Sequence, residues 1–338
     1  MRLDRLRGNR GAALNLGLQG GGAHGAFTWG VLDALLEHGR WDVHALSGSS
    51  AGALNAVMLA QGLRQGGPDA ARELLQRFWT GLAACMPATW VSHTGEDLGL
   101  GAPLRMALQW AQWLSPYQFN PLDLNPLREL LADLVDFDLL RDPGAPRLYI
   151  GATHAGSGRL KLFRNVDLSL QALLASTCLP NVHHAVEIDG QPYWDGGFAA
   201  NPPLMPLVFE QGCADTVLVL LSPLDLGPAP RSAEGIRSRM LELAFNGPLV
   251  RELQLLREAR RQLAGSVWPC GRLPRRLARA RLHCIDAGEA LQELDGHSRM
   301  VIHLGFFQRL RDHGREQAQR WIRQHGPALG HRSSMPDE

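Results

Sequence analysis

Two short apolar runs, each ending in a glycine-rich turn and then a helix-like segment, constrain this chain more than any other feature. Ala13 to Leu18 ends in Gln19-Gly20-Gly21-Gly22, and Ala26 to His38 follows with Phe27, Val31, Leu32, Leu35 and Leu36 at helical spacing. Val43 to Ser47 then passes through Gly48-Ser49-Ser50-Ala51-Gly52 into a helix of small residues. This βαβα order predicts a parallel sheet covered by helices, with ligands bound at the carboxyl ends of its strands. Both glycine-rich turns belong on that edge.

A length of 338 residues leaves room for one large α/β domain or two modest ones. The 33 acids nearly balance 34 Lys plus Arg, so a net charge of +1 gives no reason to expect nucleic acid as partner. Lys161 is the only lysine, a bias that discounts Arg clusters. Charge is nevertheless uneven, +6 over residues 251–338 and −5 before them. Cys85, Cys178, Cys213, Cys270 and Cys284 are odd in number and lack C-x-x-C spacing, which argues against a disulfide framework or a zinc site. Met1 to Gly11 is polar and no apolar signal region follows it, so a cytoplasmic protein is expected. Val43 to Leu63 carries no charge and has the length of a bilayer span, but Ser47, Gly48, Ser49, Ser50, Gly52 and Asn55 interrupt it. A buried strand turning into a buried helix accounts for it.

Further along, a charged helix is expected over Pro68 to Gly81. The sparsely charged Leu98 to Leu122, with Trp110, Trp113, Tyr117 and Phe119, reads as a helix and loop that either joins the core or caps a greasy cleft. Asn125 to Leu134 and Leu168 to Ser176 read as helices, Arg147 to Thr153 and Leu160 to Phe163 as a strand pair, and Asp189-Gly190 as a turn. Thr216 to Leu221 is the most apolar strand. Arg-rich helical patterns fill Ala233 to Gly265 and His297 to Gln324, with a strand at Arg281 to Ile285. Taking Pro223 to Pro230 as linker, the expected division is a catalytic domain over 13–222 and an Arg-rich helical region over 223–330 that packs on it.

Gly48-Ser49-Ser50-Ala51-Gly52 fits G-x-S-x-G, in which flanking glycines let a serine sit exposed on a strained turn, so Ser50 is the candidate nucleophile. Gly20-Gly21-Gly22-Ala23-His24-Gly25 can present a row of backbone N–H groups to an oxyanion. It also loosely fits a dinucleotide loop with Asp42 as the ribose acid, but there is no G-K-[ST]. A serine needs a base. His283, His297, His303, His313, His325 and His331 all lie in Arg-rich helical or tail segments, and an elbow at residue 50 is early for a triad hydrolase. The alternative is a carboxylate, Asp195, which precedes Gly196-Gly197 after a short strand. At its reference pKa of roughly 4 an aspartate is a poor base for an alcohol, so a dry site must raise it.

In this order and spacing, the three blocks resemble the patatin-like phospholipase family, whose pattern is a G-G-G-x-[RK]-G loop, a G-x-S-x-G elbow and a later D-G-[GA]. The likeness also covers an intermediate block ending in proline, matched by Ala175-Ser176-Thr177-Cys178-Leu179-Pro180. It implies a three-layer α/β/α fold with a mostly parallel central sheet and a helical C-terminal extension. It further implies a Ser50–Asp195 dyad acting on a lipid ester through an acyl-enzyme, with Gly20 to Gly25 as the oxyanion loop and neither cofactor nor metal. Two positions depart from the pattern: His24 stands where Arg or Lys is usual, and His183-His184 where an aromatic and a proline are commoner. Two rivals stay open, a triad esterase using His183, His184 or a C-terminal histidine, and a non-catalytic lipid-binding module. Peripheral contact with an anionic inner membrane surface is a separate expectation, resting on Trp110 and Trp113 with Arg272, Arg275, Arg276, Arg279 and Arg281.

Overall fold

The computed structural model describes residues 12–85, 91–94, 97–100, 114–210, 212–264, 271–288, 291, 294 and 296–335. Trp110, Trp113 and Cys270 lie outside them.

The charge-free run divides as its composition demands. Strand β2 (Trp41–Gly48) gives way at Ser49-Ser50 to helix α2 (Ala51–Ala84), which is two helical pieces broken at Gly66 and Gly67. Gly67 has φ 79°, open to glycine, and Pro68 starts the second piece, where its missing N–H costs nothing. Before them come β1 (Ala12–Leu18) and α1 (Gly25–His38), the latter closed by Gly39 in the left-handed conformation. Strand β3 (Val91–Thr94) pairs antiparallel with β4 (Asp97–Leu100) in a separate two-stranded sheet. Short helices α3 (Pro116–Phe119), α4 (Pro126–Leu134) and α5 (Phe137–Arg141) precede β5 (Arg147–His154) and β6 (Leu160–Arg164). Helix α6 (Leu170–Ser176), strands β7 (Val186–Ile188) and β8 (Gln191–Asp195), helix α7 (Met205–Val208) and β9 (Asp215–Leu220) follow.

The order across the sheet is β10-β9-β1-β2-β5-β8-β7, with β6 on the far side of β5 and β10 spanning Arg281–Asp286. Strands β10, β9, β1, β2 and β5 run parallel, while β6, β7 and β8 form the antiparallel end. The C-terminal region is therefore more than helical: it adds β10 to the central sheet. Its helices are α8 (Ala233–Ala264), α9 (Arg272–Arg279) and α10 (Leu304–His325). The helical pattern expected from His297 starts as a short 3-10 turn (Gly296–Met300), and α10 begins only after His303, whose side chain caps it by accepting from the Gly305 N–H.

Side-chain alternation along the strands builds the layers. Leu14, Leu16 and Leu18 of β1 and Val217 and Val219 of β9 face the cluster formed with α1, α2 and α10. Leu218 and Leu220 point the other way and pack with Leu249, Leu253 and Leu256 of α8 and with Leu204 and Val208 beside α7. A mostly parallel sheet thus lies between two helical layers. Helices α1 and α10 approach until backbones touch, since a Cβ on Gly30 would overlap the Arg311 carbonyl and one on Gly314 the Phe27 carbonyl.

Candidate active site

Strand β5 aligns the two functional turns. Along one edge it pairs in parallel with β2 as far as Gly48↔Ile150, and on the same edge it pairs antiparallel with β8 from Ala152↔Asp195. The chain leaving β2 and the chain leaving β8 therefore meet above Gly151. A Cβ on Gly151 would lie 2.6 Å from Ser49 Oγ, and one on Gly196 would lie 2.8 Å from the same oxygen. Gly151 carries no motif; only its place in the strand pairing reveals it.

Ser50 sits at φ 55°, ψ −131°, a left-handed backbone that costs a non-glycine residue energy and persists only where surroundings enforce it. Gly48 and Gly52 provide the room: a Cβ on Gly48 would lie 2.5 Å from the Gly52 carbonyl carbon, and one on Gly52 would strike the Leu18 carbonyl. The Ser50 N–H donates to both the carbonyl (3.0 Å) and the hydroxyl (3.1 Å) of Ser176, at the end of α6. Asp195 is held by the next residues of that block, its N–H donating to the Cys178 carbonyl at 2.7 Å. The Ala175–Pro180 block thus ties both turns in place.

Asp195 is fully buried. Its Oδ1 accepts from the Gly197 N–H at 2.8 Å, its carbonyl accepts from Thr153 Oγ1 at 2.7 Å, and Oδ2 has no hydrogen-bond partner. Burial pushes its pKa up to about 7, while the Gly197 N–H and the neighbouring Ser50 hydroxyl pull against it. Gly197 leaves room for Phe245, whose ring carbon would lie 2.5 Å from a Cβ there. Phe245 in turn packs at a tilt on Phe198, with 4.5 Å between ring centroids.

The glycine-rich loop crosses the end of β1. A Cβ on Gly20 would fall 2.7 Å from Ser50 Cβ, so the loop lies directly on the nucleophile turn. The Gly20 N–H donates to Asn201 Oδ1 at 2.7 Å. That donor is occupied, as are the His24 N–H, which donates to the Gly21 carbonyl at 3.2 Å, and the Gly25 N–H, which donates back to the Gly22 carbonyl, so Gly21, Gly22 and Ala23 are the candidate donors left in the loop. Gly21 abuts Leu221, Gly22 adopts φ 59° against the Arg299 carbonyl, and Gly25 packs on Ala51 and Trp79. Ala23 and His24 are buried beneath the loop, and His24 Nε2 bonds Ser298 Oγ at 2.7 Å. Burial, with the Arg299 charge adding to it, pushes the His24 pKa down to about 3, so its imidazole is neutral.

Of the candidate histidines, His183 has a buried Nδ1 without a hydrogen-bond partner. His184 stacks on Tyr117 and reaches the Pro116 carbonyl, and burial lowers the His183 pKa. His283 stands between Ser334 Oγ (2.9 Å) and Asp215 Oδ1 (3.1 Å), a triad-like chain at the amino end of β9 and β10. There Asp215 is already bound by both arms of Arg281 and by the Gly330 N–H. Burial works to raise the Asp215 pKa, but those partners outweigh it and hold the carboxylate ionised below its usual range. This is a structural cross-link. The α9 arginines also lie at that amino end, where Arg276 bonds the Phe209 carbonyl, away from the edge bearing Ser50. Among the described residues no group of His, Cys, Asp or Glu is placed to hold a metal, and no helix is long and apolar enough to cross a membrane.

A serine on a strained strand-to-helix turn, beside a buried carboxylate at the carboxyl edge of a parallel sheet, is the layout of an α/β acyl hydrolase. Residues 16–208 match the Patatin family, described as patatin-like phospholipase, and the chain belongs to that family. Comparison with curated protein sequences found no match. Solved structures similar to this chain include VipD from Legionella pneumophila, 16% identical with a TM-score of 0.44 over 94% of this chain and 67% of that one. Full-length ExoU with SpcU, from the type III secretion system of Pseudomonas aeruginosa, gives 17% identity and a TM-score of 0.31 over 72% of this chain and 52% of that one. The chain spans about half the length of that second structure.

Proposed function

We propose that the protein is a serine lipid acyl hydrolase that cleaves fatty-acyl esters of phospholipids or related lipids with Ser50 and Asp195. The observation that carries this reading is the Asp195 carboxylate: buried, with Oδ2 unpartnered, raised to about 7, and neighbouring a serine held at φ 55°. A pKa near neutrality is where a general base works best. Oδ2 takes the proton from Ser50 Oγ as the Oγ–C bond forms at the ester carbonyl, and the N–H groups of Gly21, Gly22 and their neighbours stabilise the oxyanion. Collapse breaks the bond to the leaving alcohol, which recovers the proton from Asp195. Water, deprotonated by the same carboxylate, then splits the acyl-serine and releases the fatty acid.

A Ser–Asp pair rather than a triad is supported by the engagement of His24, His184 and His283 with other partners. The test is a panel of glycerophospholipids, lysophospholipids and neutral esters run with the wild type, Ser50→Ala and Asp195→Asn. Turnover and labelling by a serine-reactive phosphonate both vanish in Ser50→Ala. Turnover that survives Ser50→Ala, or lipid binding with no turnover in the wild type, overturns the reading.

A further inference from the structure

The far side of the glycine-rich loop from Ser50 is occupied by an arginine that no sequence motif marks. Gly20 touches Ser50, and two residues along, at most about 7 Å of extended chain, Gly22 packs against the Arg299 backbone. Arg299 belongs to the 3-10 turn of the C-terminal region, and its Nη2 donates to Ser222 Oγ at 3.1 Å, just past the carboxyl end of β9. Its guanidinium is largely withdrawn from water, with the side chain 28% exposed, and its nearest carboxylate, Glu242 of α8, is 3.8 Å away, beyond hydrogen-bond length. Glu242 is moreover shared with Arg239 at 3.5 Å, so two guanidinium groups face one acid and the cluster carries net positive charge. With His24 neutral, Arg299 is a cation beside this loop. Burial works against its charged form, and the Glu242 carboxylate opposes that effect. Ser222 also lines a cavity of about 290 Å³ walled largely by apolar residues such as Leu220, Leu224 and Met335, with Asp225, Arg257 and Asp286 as its charged groups.

Resting on the acyl-hydrolase reading above, we infer that Arg299 is the specificity-determining residue of this site: it binds the phosphodiester of a glycerophospholipid while the scissile ester sits at Ser50, and Glu242 competes with that phosphate. The recognition is charge-assisted, with two N–H donors of a planar fork matching phosphate oxygens. The site is thereby selective for headgroup-bearing lipids over neutral esters.

Kinetics with monomeric dihexanoylphosphatidylglycerol and with p-nitrophenyl butyrate test this. Arg299→Gln raises KM for the phospholipid about tenfold or more, and costs at least about ten times more in kcat/KM there than on the neutral ester. Arg299→Lys recovers part of the loss, and Glu242→Gln lowers KM for the phospholipid several-fold. Equal losses on both substrates in Arg299→Gln, or an unchanged KM in Glu242→Gln, overturn the inference. A measurement without turnover separates it from the parent reading: calorimetric binding of dihexanoylphosphatidylglycerol to Ser50→Ala, abolished in Ser50→Ala/Arg299→Gln. Arg299-dependent binding by a protein that hydrolyses no ester refutes the enzyme and keeps the phosphate site. Turnover indifferent to Arg299 and Glu242 does the reverse.

Discussion

Gly196 lies so close over Gly151 that a Cβ on it would overlap the Gly151 carbonyl oxygen. The acid turn and the middle of β5 are in backbone contact, which seats Asp195 beside the Ser49-Ser50 turn. Gly151→Ala puts a methyl 2.6 Å from Ser49 Oγ and displaces the nucleophile turn. A folded protein with kcat down about a hundredfold is expected, since a displacement of about 1 Å costs that much. Circular dichroism alongside kcat checks it, and unchanged kcat would show that β5 does not set the spacing.

Burial holds the Asp195 carboxyl at about 7 in the fold, against 3.8 unfolded. In the proposed mechanism activity depends on the ionised carboxylate, so kcat/KM rises as pH climbs through about 7. Stability moves oppositely. Between the two values the folded state binds the extra proton, so the contribution of the protonated acid is complete below about pH 4 and is lost as pH rises through about 7. Asp195→Asn, permanently neutral, loses activity by about 10² to 10⁴. It gains thermal stability that grows from pH 5 to pH 8, on the order of a few kcal/mol. Melting curves at both pH values decide it, and a gap that does not widen with pH contradicts burial as the cause.

Asn201 joins the acid segment to the glycine-rich loop through the Gly20 N–H at 2.7 Å, with a weaker return bond from Nδ2 to the Gly20 carbonyl at 3.4 Å. Asn201→Ala leaves a buried donor unsatisfied, at a cost of about 1–3 kcal/mol, and frees the loop. Lower kcat with little change in KM is expected, together with slower phosphonate labelling of Ser50.

Gly314 of α10 faces the Phe27 carbonyl of α1 without space for a side chain. Gly314→Ala must part the helices, at about 1–3 kcal/mol. Arg299 lies in the turn just before α10, so if it binds the phosphodiester as inferred, the phospholipid-over-neutral-ester preference falls along with the melting temperature. A Gly22→Ala control meets the Arg299 carbonyl directly and is expected to be harsher on activity.

How much of this was legible depends on range along the chain. The strand-turn-helix units at Gly20–Gly25 and Gly48–Gly52 were readable because glycine, serine and apolar periodicity dictate backbone within a dozen residues, and β1, α1, β2 and the start of α2 stand where those signals place them. The break at Gly67 and the turn at Asp189-Gly190, both with positive φ, were equally local. The helical pattern from His297 starts too early because His297 to Met300 is helix-compatible by composition, and only the His303 cap marks where α10 begins.

What local sequence by itself determined is therefore the turns that carry Ser50 and Asp195 and the parallel order of the strands bearing the first. Tertiary structure alone decided that β2 and β8 share one edge of β5, that Asn201 takes the Gly20 N–H, and that Arg299, 249 residues beyond Ser50, closes the far side of the same loop. It also decided the chemistry of two side chains whose types alone mislead: an aspartate raised to about 7 and a histidine lowered to about 3. The physical reason is common to all of these. Burial and long-range hydrogen bonds are properties of packed surroundings, and they have no signature in the residues adjacent along the chain.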